Sequence, residues 1–182
     1  MRPACFACVV LAAFAATAHA ADDVTVEARR RGDAVEIKAQ AVIAAPTQLV
    51  WRVLTDYEGL PRFIPGISKS VVRERKANHL VLEQSGKARF LFFSFPIEVK
   101  LEVDETPPHW IASHALSGNV RQMSGRYELS DAPGGVVVRY TGFIEPDFVL
   151  PPLVGVAALR STAEEQFTAM VGEIERRAAG GQ

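Results

Sequence analysis

Residues Ala45 to Ile67 read A-P-T-Q-L-V-W-R-V-L-T-D-Y-E-G-L-P-R-F-I-P-G-I. The stretch is a short amphipathic helix that runs into an elbow. Pro46 suits a helix start, because the N–H that proline lacks would have no partner there. Leu49, Val50, Val53, Leu54 and Tyr57 then recur at helical spacing, with Trp51 adding bulk. Gly59, Pro61, Pro65 and Gly66 end the helix and turn the chain.

The segments on either side change period from 3.6 to 2. Val24 to Arg31 and Ala34 to Ile43 alternate as strands, with Gly32-Asp33 as the hairpin turn between them. After the elbow, Ser68 to Arg75, His79 to Phe92 and Pro96 to Glu105 are predicted strands, with connections at Asn78 and in the Phe93–Phe95 region. Ile97, Val99, Leu101 and Val103 alternate with Glu98, Lys100, Glu102 and Asp104, the pattern of a sheet with one dry and one wet face. Pro107-Pro108 breaks the run. His109 to Leu116, Arg121 to Ser130 and Val136 to Glu145 are three further strands, the last two joined by the turn-rich Asp131–Gly135 loop. A long helix from about Leu153 to Arg177 follows Pro151-Pro152. Val156, Ala163, Phe167, Met170, Val171 and Ile174 form its apolar stripe, and Arg176 and Arg177 stand at the end that favours positive charge. A sheet with one dry face needs a cover, and this helix is long enough to provide it. The fold class is α+β.

Three stretches carry a resemblance: I-A-A-P-T-Q-L-V-W-R-V-L-T-D-Y at Ile43 to Tyr57, L-P-R-F-I-P-G-I at Leu60 to Ile67, and S-G-R-Y-E-L at Ser124 to Leu129. With the final helix, they resemble the START-like (SRPBCC) superfamily of polyketide cyclases/dehydrases and coenzyme Q-binding proteins. The resemblance implies a helix-grip fold, a curved antiparallel sheet wrapped around a long C-terminal helix, with two short helices after the first strands. It further implies a cavity between sheet and helix for an apolar molecule, without saying which.

The first twenty residues read as a cleaved signal peptide. Arg2 is a minimal charged start, Ala4 to Ala16 is an apolar run too short to span a bilayer, and Ala18-His19-Ala20 is a small-x-small cleavage signal. A single domain, Ala21 to Gln182, is expected to remain, in the periplasm or secreted. Cys5 and Cys8 both fall in the leader, so the expected mature chain has no cysteine and must be stabilised by packing. The whole chain has 20 Lys and Arg against 21 Asp and Glu. That balance lacks the basic patch a nucleic-acid partner requires. The one basic run, Arg29-Arg30-Arg31, reads as a solvated hairpin end.

Candidate ligand-binding residues come from the inward-facing positions. On the last helix these are Val156, Ala163, Phe167 and Arg160, which falls about 40° from Val156 on the helical wheel. Arg160 either donates to a ligand carbonyl or anionic head, or snorkels into an internal ion pair with Glu164. Arg121, Met123, Tyr127 and Leu129 share one strand parity. The family pattern turns Tyr127 inward, and Arg121 either follows it or is solvated at the strand start. Val99, Leu101, Trp51 and Phe92 complete the expected lining. The run Arg89 to Pro96 is apolar on both strand faces. Its Phe90, Phe92, Phe93 and Phe95 either close the cavity mouth, touch a membrane surface or pack within the protein.

Signatures of enzyme chemistry are absent from the sequence: no G-x-S-x-G, no H-E-x-x-H and no phosphate-binding glycine loop. His79, His109 and His114 have no zinc spacing, and a lone His114 reads as structural. Glu98, Glu102 and Asp104 fall on the wet face. The expectation is therefore a binding protein for a lipid or isoprenoid quinone, with no metal and no cofactor. The alternative is a cyclase or dehydratase in which Arg160 or Arg121 acts with Tyr127 on a polyketide-like carbonyl.

Overall fold

The computed structural model describes residues 24–90, 93–147 and 154–180. In it, β1 (Thr25–Arg31) and β2 (Ala34–Ile43) form a hairpin, followed by α1 (Thr47–Leu54) and a 3-10 helix (Tyr57–Arg62). Then come β3 (Ile67–Lys76), β4 (His79–Phe90), β5 (Phe93–Thr106), β6 (Trp110–Gly118), β7 (Val120–Ala132) and β8 (Gly135–Pro146), and the described chain ends in α2 (Val154–Gly180). The strands make one curved antiparallel sheet in the order β1-β2-β8-β7-β6-β5-β4-β3, so β1 and β3 are its edges.

The alternation of each strand decides its buried face. Ile37, Ala39 and Ala41 of β2, Leu80 and Leu82 of β4, Val99, Leu101 and Val103 of β5, and Val136 and Val138 of β8 form the dry side. Across it lies α2, whose Phe167, Met170, Val171 and Ile174 are buried against the sheet and α1. Burying one such aliphatic side chain contributes roughly 1.5–3 kcal/mol. In α1, Val50, Val53 and Leu54 are buried, and the Pro46 carbonyl accepts from the Leu49 and Val50 N–H groups.

Two polar locks fasten the elbow. Tyr57 Oη donates to Glu105 Oε1 at 2.8 Å, Arg75 reaches both Glu105 oxygens at 3.4 Å, and Glu105 is only 8% exposed. Burial, then the Glu105 charge, pushes the Tyr57 phenol far above its usual range. At the end of α2, Arg177 donates to Asp56 at 2.8 Å and to Glu173 at 2.7 Å, with its guanidinium 5.5 Å from the Phe63 ring centroid.

Two expectations change. The Phe93–Phe95 connection is instead strand: Phe93 pairs with Phe90, Ser94 with Arg89 and Phe95 with Ala88, and residues 91–92 lie outside the described residues. The outer face of β5 is organised rather than merely solvated. His79 Nδ1 faces Asp104 at 2.9 Å and its Nε2 faces Glu102 at 3.2 Å, while His114 Nε2 faces Glu102 at 2.8 Å. The Asp104 hydrogen bond, with both carboxylate charges, raises the His79 pKa.

Candidate ligand-binding cavity

The cavity is set by four residues that pair across two strands. Gly125 of β7 pairs with Gly142 of β8, and one step along the same face Tyr127 pairs with Tyr140. The two rings stand 4.6 Å apart, tilted by 40°. Tyr140 leans along its strand over the glycines. A Cβ at Gly125 would come within 3.0 Å of the Tyr140 hydroxyl oxygen, and one at Gly142 would overlap that oxygen outright. Mid-strand glycine marks such close approaches.

The glycine pair lets the Tyr140 ring lie down on the sheet, and beside it a cavity of about 190 Å³ remains between sheet and α2. Ile37, Ala39, Val99, Met123 and Ile144 wall the sheet side, and Leu159, Ala163 and Phe167 wall the helix side. Its polar lining includes the two tyrosines, Gln84, Gln166 and the rim residue Lys87. Gln84 donates to Ser70 Oγ at 3.2 Å and Gln166 to the Pro65 carbonyl at 3.1 Å, which leaves the phenols as the less engaged groups. A cleft of about 220 Å³ adjoins the cavity and shares Gly66, Ile67, Lys87 and Thr162 with it. Its rim is fixed at Gly66, whose φ of +84° suits only glycine and whose carbonyl accepts from the Lys87 N–H at 2.7 Å. A dry apolar cavity of about 150 Å³ takes up benzene. The cavity here is thus sized for a ring system, and a longer molecule would continue through the cleft.

Burial pushes the Tyr140 phenol up to about 12 and the Tyr127 phenol further still. Both remain neutral O–H donors at any ordinary pH. Among the described residues neither hydroxyl has a protein hydrogen-bond partner, and the two do not bond to each other. Tyr127 keeps some accessible surface, and that surface faces the cavity.

Of the residues the sequence singled out, Val99, Met123, Tyr127, Ala163 and Phe167 line this cavity. Leu101 is buried in the core beyond it, and Val156 and Trp51 pack against the core without lining it. Phe92 lies outside the described residues. Arg160 does not enter: its side chain is 52% exposed, donates to the Val26 carbonyl at 3.0 Å and pairs with Glu164 at 3.5 Å. The stripe it belongs to meets the sheet at the β1 edge, where a long side chain can reach unpaired backbone. Arg121 is 58% exposed and pairs with Asp147 at 3.3 Å and Glu145 at 3.5 Å. A register shift between Val120 and Gln122 sets it outside the parity that Met123 and Tyr127 follow. The sequence reading missed Tyr140 and Gly142. The mirrored spacing Gly125-x-Tyr127 and Tyr140-x-Gly142 is the signal that could have found them.

The described lining contains no carboxylate, histidine or cysteine. It can bind, orient and hydrogen-bond a ligand, but it offers no side chain poised as a general base. A larger hollow of about 410 Å³, lined by Lys69, Glu83, Glu98 and Lys100, mixes both charges and shares only Val99 with the apolar walls of the cavity.

The sequence profile of the family described as "Polyketide cyclase / dehydrase and lipid transport" matches residues 43–171. Comparison with curated protein sequences finds no match. Among solved structures, a STAR-related lipid transfer protein from Xanthomonas axonopodis superposes with a TM-score of 0.67 at 14% identity, over 85% of this chain and 95% of that one. A START superfamily protein from Mycobacterium smegmatis gives 0.65 at 15% identity, over 78% and 97%. The aromatase/cyclase Zhui from a Streptomyces species gives 0.62 at 22% identity, over 81% and 98%. At these identities the likeness is one of fold.

Proposed function

Since this chain belongs to the family of polyketide cyclases/dehydrases and lipid-transport proteins, we propose that it binds an apolar small molecule of the lipid or isoprenoid quinone class between the sheet and α2. It would act as a periplasmic carrier, chaperone or sensor. The observation that carries this reading is the cavity itself: apolar walls, room for a ring system, a cleft for the remainder, and polar groups that are almost all neutral. The leader-like first twenty residues supply the compartment, where a soluble container is useful because apolar molecules must cross water between two membranes. The aromatic run with Phe90, Phe92, Phe93 and Phe95 is the segment we assign to transient contact with a membrane surface.

A second reading, a cyclase or dehydratase on a polyketide-like substrate, draws on the two phenols, which could polarise a carbonyl. It is weaker than the sequence suggested, because neither Arg121 nor Arg160 lines the cavity, and the cation that does among the described residues, Lys87, stands at the rim shared with the cleft.

Native mass spectrometry of the protein isolated from its own compartment without detergent, with organic extraction of what accompanies it, tests the proposal. The expected spectrum shows a chain beginning at Ala21 with a discrete apolar adduct. A chain that retains residues 1–20 overturns the compartment. A bare mass that stays bare after incubation with lipid and quinone extracts overturns the binding function.

A further inference from the structure

We propose that Tyr140, seated on the Gly125–Gly142 pair, and its cross-strand neighbour Tyr127 are the specificity element of the cavity: they select a ring bearing a neutral hydrogen-bond acceptor over a plain hydrocarbon, and they draw that end in first. This rests on the cavity reading above and names what the cavity distinguishes. Both rings line the cavity, and among the described residues neither hydroxyl is bonded to protein. A phenol offers a donor, and burial keeps both protonated, so the complementary group is an acceptor such as a carbonyl or ether oxygen. An anionic head is disfavoured there, because among the described residues the cation of the lining, Lys87, belongs to the end shared with the cleft, which neither tyrosine lines. Both tyrosines are half-buried, so their hydroxyls are open to the cavity, and a ligand that displaces water there and supplies an acceptor gains over one that leaves the donor unpaired. Selectivity from polar groups exceeds selectivity from shape when the site is built to hydrogen-bond.

Orientation follows from position. The cleft shares Gly66, Ile67, Lys87 and Thr162 with the cavity, and neither tyrosine reaches the cleft. A ligand entering through it meets the phenols at the inner end. The acceptor-bearing ring therefore lies inward and any tail trails out past Thr162 and Lys87.

The test compares menadione with methylnaphthalene, a similar two-ring frame with and without carbonyl oxygens. Titration calorimetry on the full-length mature chain is run for wild type, Tyr127→Phe and Tyr140→Phe, with thermal melts to confirm folding. Wild type should prefer menadione about tenfold or more. Each phenylalanine variant, which keeps the ring and loses the hydroxyl, should cut that preference by about three- to tenfold, the range expected for one neutral hydrogen bond. The infrared carbonyl band of bound menadione should shift to lower frequency in wild type and recover in the variants. Equal binding of both probes by wild type, or an undiminished preference in both variants, overturns the tyrosine assignment and leaves the cavity reading standing. Failure of wild type to bind either probe overturns both.

Discussion

Gly142 has no side chain because Tyr140 already occupies the place one would take. Gly142→Ala should therefore lower stability by about 1–3 kcal/mol, the usual range for overpacking a filled interior. In a Tyr140→Ala background the same change should lose most of its penalty, since contacting residues are not additive. Urea unfolding of the four proteins in that cycle measures it, and an equal penalty in both backgrounds would show that the ring is not what the methyl meets. This residue pair also shows why part of the site was hidden in the sequence. Tyr127 could be read from the parity of its own strand. Tyr140 matters through the strand it pairs with, and periodicity within one strand carries no information on cross-strand register. Arg121 was misleading for a related reason, because the bulge beside it breaks the alternation that the parity argument assumes.

Among elements, α2 is the uneven one. Its second half buries Phe167, Met170, Val171 and Ile174 and ends in the Arg177 clamp, whereas its first half leaves Ala157, Arg160, Ser161, Glu164 and Glu165 exposed and borders the cavity with Leu159 and Ala163. Local opening is cheapest where few apolar contacts are buried. Hydrogen exchange should be slow for amides of residues 167–177 and distinctly faster for 158–164, and a bound ligand should narrow the gap. Uniform protection along the helix in the free protein would contradict this. The element pattern itself was legible: β2 runs over the predicted Ala34–Ile43, and the other strands start or stop within a few residues of their alternating runs. Arg160 shows the limit. Its place on the helical wheel was right, but the wheel does not say that this part of the helix crosses the β1 edge, where an arginine finds the Val26 carbonyl.

For the molecule as a whole, acid stability should depend on the clamp that ties the end of α2 to the elbow. The hydrogen bond from Arg176, followed by that from Arg177, holds the Glu173 carboxyl down to about 2, against about 4.3 for an unfolded chain. A lowered folded pKa means a contribution present in full above the unfolded value and lost as pH falls from there toward 2. Glu173→Gln should be less stable than wild type at neutral pH and converge with it near pH 2, read as urea midpoints against pH. Parallel curves would show that Glu173 is not a source of the acid limb. The global architecture was legible because it depends on faces and lengths, which periodicity records, whereas the cavity depends on what two strands leave out when they pair. The order of those strands has one more result. Among the described strands β1 and β3 are the two edges, and each carries a fringe of charged side chains, Glu27, Arg29, Arg30 and Arg31 on β1 and Lys69, Arg73, Glu74, Arg75 and Lys76 on β3, several held in ion pairs such as Arg29–Glu27 and Arg73–Glu83. A rim of open backbone invites a second copy to extend the sheet, and a fringe of charged side chains that pairing would strip of water opposes it. The fold thus carries its own guard against polymerising, built into the two borders of its sheet.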